Sequence, residues 1–178
     1  RQLAQWRTAG ASLPCISVNL SPRQLLDPLL LTQIDEAITE HGLDYDSLEL
    51  EITEQCMVDR SEQVGEQLAL LQQRGVRVAI DAFGTGYSSF GQLLWQPLNK
   101  IKLDRTFLEK VDSDERAVSV MTAMFEMAKA LGLELIAEGV ETEQQARFLR
   151  ERGCELGQGF GLARPQAPEA IAALLDCA

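Results

Sequence analysis

Apolar residues recur at three- and four-residue intervals in four stretches of the chain. Leu30, Ile34 and Ile38 form one stripe, Val64, Leu68 and Leu71 a second, Val118, Met121, Phe125 and Ala128 a third, and Ala146 with Leu149 a fourth. Each spacing keeps one face of a 3.6-residue helix apolar, so each predicts an amphipathic helix. Thr142 and Gln145 stand three apart before the fourth stripe and predict a capping box. Between the helices lie short runs rich in Val, Ile and Leu at 15–20, 48–53, 76–81, 100–103, 133–138 and 154–158, which read as strands. Gly42, Gly75, Gly132 and Gly153 each separate a helical pattern from the strand that follows.

Strand and helix in strict alternation predict a parallel sheet covered by helices, either open and doubly wound or closed as a barrel. The polar residues favour the barrel. Asn19, Glu51, Asp81, Lys102, Glu138 and Gln158 fall at or near the C-terminal ends of six successive strands, and a barrel gathers all its strand ends around one mouth. An open sheet converges only those beside a switch point. A complete eight-stranded barrel typically takes about 250 residues, whereas this chain has 178. The expectation is therefore a modified TIM (β/α)8-type barrel lacking roughly its first two strands, with residues 1–10, where Leu3 and Trp6 are helically spaced, as the tail of a preceding helix. Residues 1–178 are expected to be one domain.

The charge narrows the partners. With 27 acidic side chains against 16 Lys plus Arg, the formal net charge is −11, which argues against duplex nucleic acid because phosphate neutralisation supplies most of that affinity. No stretch approaches the roughly 18 apolar residues of a membrane helix, and the opening residues carry no secretory-signal pattern, so no membrane contact is expected of this domain. The single histidine, His41, stands before Gly42 at a helix end, where a C-terminal side chain followed by a helix-ending glycine explains it. Ser-His-Asp, Cys-His and multi-His metal chemistries are thereby excluded. Cys15, Cys56, Cys154 and Cys177 show no CxxC spacing and suit reduced, buried thiols in a cytoplasmic setting.

Hydrolytic chemistry must then come from carboxylates, lysine, hydroxyls or an oxygen-liganded metal. Glu51 sits on a strand that burial would make costly unless it is paired or bound to a cation; Glu49 shares its parity and is expected on an exposed face. Asp81 precedes a glycine-rich loop and serves equally well as a turn aspartate or a metal ligand. Asn19 precedes Ser21 and Pro22, a good N-cap and N1 pair. Lys102 shares a face with Lys100 and could orient water, stabilise phosphate charge or form a Schiff base, against the alternative of a salt-bridged side chain. Asp104 reads first as a helix cap. Glu138 lies on the ligand side if Lys102 does, while Glu141 suits the positive end of the helix opening at Thr142. Gln158 stands between Gly157 and Gly159 and can donate to a base or phosphate. The run Phe83, Gly84, Thr85, Gly86, Tyr87, Ser88, Ser89 lacks both the third glycine of a dinucleotide fingerprint and the Gly-Lys-Ser/Thr of a P-loop.

Taken together, Ser17-Val18-Asn19-Leu20-Ser21-Pro22, Leu50-Glu51-Ile52-Thr53-Glu54, Asp81-Ala82-Phe83-Gly84-Thr85-Gly86-Tyr87-Ser88-Ser89, Ile101-Lys102-Leu103-Asp104, Ala137-Glu138-Gly139-Val140-Glu141-Thr142 and Gly157-Gln158-Gly159 resemble, in order, the motifs of the EAL-domain family. Its members are bacterial phosphodiesterases that cut cyclic di-GMP to linear pGpG on a modified TIM barrel. The resemblance implies that Asn19, Glu51 and Asp81 hold a first Mg2+ or Mn2+, with Asp81 reaching toward a second. It implies that Lys102 orients the attacking water, that Glu138 serves the second metal and water activation, and that Gln158 and Asp104 contact substrate. Glu54 matches the glutamate that anchors the loop containing Gly84 and Gly86, and Glu141 its supporting acid. A homodimer is implied, as are GGDEF or sensory domains elsewhere in a longer protein that a membrane anchor could hold.

Two departures from the family pattern bear on activity. The Glu-Ala-Leu signature itself is absent, and Ala82 stands where active members usually carry a second aspartate. A methyl cannot coordinate a cation, which weakens the two-metal step. The leading expectation is a cyclic di-GMP phosphodiesterase impaired at the second metal. The alternative is an inactive receptor that binds cyclic di-GMP and signals through protein contacts, and a Schiff-base enzyme using Lys102 is a distant third.

Overall fold

The computed structural model describes residues 1–58, 61–86 and 96–175. Tyr87, Ser88 and Ser89 of the glycine-rich run, and Cys177, lie outside the described residues. The chain opens with α1 (Gln2–Thr8), whose Leu3 is buried, followed by β1 (Ile16–Leu20), α2 (Pro22–Leu25) and α3 (Leu30–His41). Next come β2 (Leu48–Thr53), α4 (Gln55–Val58), α5 (Ser61–Gln73) and β3 (Arg77–Phe83). The second half holds β4 (Lys100–Leu103), α6 (Arg105–Leu108), α7 (Glu115–Ala130), β5 (Glu134–Glu138), α8 (Glu143–Glu151), β6 (Leu156–Gln158) and α9 (Pro168–Leu175).

The local signals act as the pattern predicts. Ser21 and Gln24 form a reciprocal capping box with Pro22 as the first residue of α2, and Thr142 with Gln145 does the same at α8. Each box satisfies amide groups that a helix N-terminus otherwise leaves without partners. Helix α3 ends at Gly42 in the left-handed region, φ 61°, which a glycine adopts without steric cost. The apolar stripes are the buried ones: Ile34 and Ile38 of α3, Val64, Leu68 and Leu71 of α5, Met121 and Ala128 of α7, and Ala146 and Leu149 of α8 all enter the core.

The six strands among the described residues are parallel and hydrogen-bond in sequence order, β1 to β6. Leu50, Ile52, Val78, Ile80, Ile101 and Leu103 face the helices and are nearly inaccessible. Their strand neighbours point the other way, onto the concave inner face, as the two-residue period of a strand requires. The sheet curls strongly: Lys102 on β4 reaches Glu51 on β2 and Glu138 on β5 within one ion-pair distance. This is a TIM-barrel-like α/β fold in six strands, with β1 and β6 at the ends of the sheet.

Five strand boundaries differ from expectation, β1 and β3 each starting one residue later than their apolar runs. Strand β3 continues past Asp81 to Phe83, because the register against β4 shifts between Ile80 and Phe83. A bulge there lets the strand resume after an interruption of its pairing. Strands β5 and β6 start one and two residues later than the apolar runs, since an apolar run marks burial and not pairing.

Candidate active site

Strand register stacks the inner-face side chains in two layers. Ser17, Glu49 and Arg77 stand side by side on β1, β2 and β3, and Lys100 pairs with Glu134 between β4 and β5. Nearer the C-terminal ends lie Asn19 beside Glu51, Thr53 beside Asp81, and Glu138 beside Gln158. Alternation and parallel register put the predicted mouth residues on one face, and the curl of the sheet brings Glu51, Asp81, Lys102 and Glu138 together.

Lys102 is the centre of the upper layer. Its Nζ lies 2.9 Å from Glu51, 3.1 Å from Asp81 and 2.9 Å from Glu138, and its side chain is 7% exposed. Burial by itself would depress its pKa, but the hydrogen bonds it donates to Glu138, Glu51 and Asp81 outweigh that cost and hold it above the ordinary lysine value. Lys102 is therefore an ammonium at neutral pH. A donor of this kind can orient water or a phosphate oxygen, whereas attack on a carbonyl needs the free amine, so the geometry speaks against Schiff-base chemistry.

The charge of the cluster is not balanced. Three carboxylates share one ammonium, three negative charges against one positive, leaving a formal −2 in a partly buried site. Among the described residues no three His, Cys, Asp or Glu side chains are grouped at metal-ligand spacing; the three carboxylates each meet the Lys102 ammonium instead. The donor set nevertheless fits a hard divalent cation: the side chains are oxygen donors, and the residual charge is the one such a cation neutralises.

The lower layer corrects an expectation. Glu49 is not on an exposed face; it is 1% exposed, deeper than Glu51. Lys100 Nζ lies 2.8 Å from its Oε2, Arg77 Nε 3.5 Å away, and the Ser17 hydroxyl donates to its Oε1 at 2.8 Å. Arg77 and Lys100 also reach Glu134, at 2.6 and 3.5 Å. Two cations, Arg77 on the adjoining β3 and Lys100 on β4 beyond it, make the burial of Glu49 tolerable. The shared parity of Glu49 with Glu51 and of Lys100 with Lys102 was the available signal for this second layer.

Around the mouth, Glu54 accepts from the backbone amides of Gly84 and Gly86 through one oxygen, at 3.0 and 2.9 Å, and is buried. The turn that follows β3 is pinned to the end of β2 by that carboxylate. Gly84 has φ 92°, and a Cβ there would stand 2.3 Å from the Phe107 ring on α6, so only glycine fits both the conformation and the contact. Ala82 has φ 51°, the left-handed region, in the bulge of β3. Its amide donates to Asp81 Oδ1 at 3.0 Å, which fixes the carboxylate of Asp81 beside Lys102.

Asp104 caps α6, accepting from the amide and hydroxyl of Thr106 at 3.0 and 2.7 Å. It also lines a cavity of about 250 Å³ together with Arg105, Glu138, Gly139, Glu141, Gln158, Gly159 and Phe160. Glu141 enters that cavity while its amide is held by the Gln145 side chain at 2.8 Å. Arg105 and Phe160 stand outside the motifs quoted from the sequence. A larger cavity of about 510 Å³ opens between α7, the turn after α8 and the N-terminal ends of β5 and β6. It contains none of the mouth residues and plays no part in the site.

Comparison with known proteins places this arrangement among relatives. The family model described as "EAL domain" matches residues 1–165. The chain is 37% identical over 165 residues to the cyclic di-GMP phosphodiesterase PdeR of Escherichia coli (strain K12), covering 93% of this chain and 25% of that protein. The crystal structure of the EAL domain of Mycobacterium smegmatis DcpA superposes with a TM-score of 0.94 at 36% identity, covering 99% of this chain and 79% of that one. A manganese and cyclic di-GMP complex of Klebsiella pneumoniae BlrP1 at pH 9.0 superposes with a TM-score of 0.83 at 28% identity, covering 92% of this chain and 42% of that one. The chain spans about a fifth to a quarter of the length of the first curated relatives it matches.

Proposed function

The chain belongs to the EAL domain family, and from that premise we propose that it hydrolyses cyclic di-GMP to linear pGpG with the aid of Mg2+ or Mn2+. The observation that carries this reading is the cluster of Glu51, Asp81 and Glu138 around Lys102, with its uncompensated −2 charge at the strand ends. Asn19, beside Glu51 in register, joins Glu51 and Asp81 as the ligand set for a first cation, and Glu138 serves a second. Bound divalent cations supply electrostatic stabilisation of the charge that develops on a phosphodiester and make water a stronger acid. Without such cations, carboxylates at the mouth of a protein of net charge −11 would repel the substrate.

The remaining roles belong to the chain's own groups. Lys102, kept cationic by its three partners, orients the attacking water and faces the phosphate as a donor. Glu138, held 2.9 Å from Lys102, accepts the proton of that water. Gln158 and Asp104, which line the cavity beside Glu138, contact the substrate. Glu54 keeps the loop carrying Gly84 and Gly86 against the site, and Glu141 supports the same rim. A homodimer, with further GGDEF or sensory domains in a longer protein, suits a domain that spans a minor part of its relatives. Cytoplasmic placement of the domain accords with its unpaired Cys15, Cys56 and Cys154, and no helix among the described residues is long and apolar enough to cross a membrane.

Ala82 favours a second reading, a receptor that binds cyclic di-GMP without turning it over, since its methyl supplies no ligand to a second cation. Incubation of the intact protein with cyclic di-GMP and Mg2+ or Mn2+, followed by chromatography and calorimetry, separates the two. Sustained pGpG production supports the enzyme and rejects the receptor. Tight uptake without product rejects the enzyme, and no uptake rejects both.

A further inference from the structure

We propose that Gln145 is a positioning residue: by joining α6 to the turn between β5 and α8, it sets the separation of two walls of the cavity that receives the substrate. The assignment rests on the functional reading above. The cavity beside Glu138 has Asp104 and Arg105, at the start of α6, in one wall, and Gly139 and Glu141, in the turn after β5, in another. Gln145 is 7% exposed and does not line that cavity, so it acts on a ligand only through the walls it holds.

A capping box explains only half of this side chain. Its Oε1 accepts from the Thr142 amide at 3.1 Å and from the Glu141 amide at 2.8 Å, while its own backbone amide donates to the Thr142 hydroxyl at 3.2 Å. Those bonds need a side-chain acceptor at the third helical position, which glutamate supplies as well as glutamine. The Nε2 donor is surplus to the box. It reaches across 37 residues of sequence to the carbonyl of Leu108, the last residue of α6, at 3.3 Å in a buried setting. Leu108 is fully enclosed, and its carbonyl takes one further donor, the Val111 amide at 3.3 Å. One planar group thus holds both walls, its acceptor end on the turn of Glu141 and its donor end on α6.

Helix α6 depends on contacts of this kind. Its four residues make a single turn, and an isolated turn has little stability of its own because nucleation fixes several dihedrals for one hydrogen bond. Its other supports are steric. A Cβ on Gly139 would stand 2.3 Å from that of Arg105, and one on Gly84 2.3 Å from the Phe107 ring, so backbone at both places is pressed against α6 side chains. Steric contact limits approach but does not prevent retreat. The Gln145 bond is directional and supplies that restraint. Lys102 lies on β4 and is held by its own three carboxylates, so a shift of α6 alters the walls around the nucleotide and leaves the charge cluster in place.

The test compares the intact protein with Gln145→Glu, Gln145→Met and Thr142→Ala, by Tm and by calorimetry of cyclic di-GMP uptake with Mn2+ present, at pH 8, where a carboxylate accepting two backbone amides is ionised. Gln145→Glu keeps the acceptor of the box and loses the donor. Thr142→Ala weakens the cap and keeps the tie to Leu108, whereas Gln145→Met removes both at similar volume. Kd is expected to rise about three- to tenfold in Gln145→Glu, the range one neutral hydrogen bond spans. The Glu141 and Thr142 amides should stay protected from hydrogen exchange in that variant, while the Phe107 and Glu109 amides, which bond Asp104 and Arg105 within α6, lose protection. Any turnover should change in KM and not in kcat. Thr142→Ala should lower Tm with Kd near wild type. A wild-type Kd in Gln145→Glu, or a rise no larger than Thr142→Ala shows for the same loss of Tm, overturns the assignment while leaving the functional reading intact. If Gln145→Glu does not fold, Gln145→Met against Thr142→Ala decides by the same comparison. Wild-type protein that takes up no cyclic di-GMP overturns the functional reading, and this one with it.

Discussion

Glu51 and Lys102 meet across an intervening strand: their side chains lie 2.9 Å apart although β3 runs between β2 and β4. Ala79 makes this reach available. It pairs with Glu51 in register on one side and with Lys100 on the other, and it contributes only a methyl to the inner face. Ala79→Leu should therefore wedge the two layers apart. Overpacking a well-filled interior costs about 1–3 kcal/mol, to be read from chemical denaturation, and cyclic di-GMP uptake should fall more than that loss of stability explains. Unchanged uptake would show that Glu51 and Lys102 need not meet.

Glu54 is expected to govern the order of the loop after β3. Glu54→Gln retains an acceptor but removes the charge that strengthens both amide bonds, whereas Glu54→Ala removes the acceptor altogether. Hydrogen bonds to a charged group are worth about 1.5–3 kcal/mol each, so the Gly84 and Gly86 amides should exchange with solvent much faster in Glu54→Ala and to an intermediate degree in Glu54→Gln. Exchange rates equal to wild type would separate Glu54 from loop order.

Ala82 yields two expectations from one backbone angle. The left-handed conformation costs an alanine roughly 1–2 kcal/mol, so Ala82→Gly should stabilise the fold by up to about 1 kcal/mol after its larger chain entropy is subtracted. Ala82→Asp places a residue type that tolerates this region next to Asp81 and should raise Mn2+-dependent pGpG production. Turnover that stays at the wild-type level in Ala82→Asp would count against a ligand deficit at this position.

The lower ionic layer predicts an acid dependence. Hydrogen bonding from Arg77 holds the Glu134 carboxyl below the usual glutamate range, with burial working against it. A depressed folded-state value means that the folded protein releases this proton more readily, so the stabilisation is complete above about pH 4.3 and fades as the pH falls through the folded value. Glu134 is 47% exposed, so solvent screening keeps the contribution small. Denaturation of wild type and Glu134→Gln should differ at neutral pH and converge in acid; a constant difference would remove Glu134 from the linkage.

The sequence alone determined the alternation of elements, the parallel sheet, the helix caps, the family and the ring of polar residues at the strand ends. These are properties of short windows: a helical stripe needs one turn-to-turn spacing, a cap needs four residues, and a strand end needs only its own run. What the tertiary structure decided is which charges meet. Glu49 lies 51 residues from Lys100 and 32 from Ser17, and its burial depends on curvature and register that no window contains. The same holds for Lys102, whose cationic state is set by carboxylates on β2, β3 and β5, and for Ala82, whose backbone angle arises where β3 slips against β4. Electrostatic free energy depends on distances through space, and a chain folded into a curled sheet fixes those distances only when all its strands are in place.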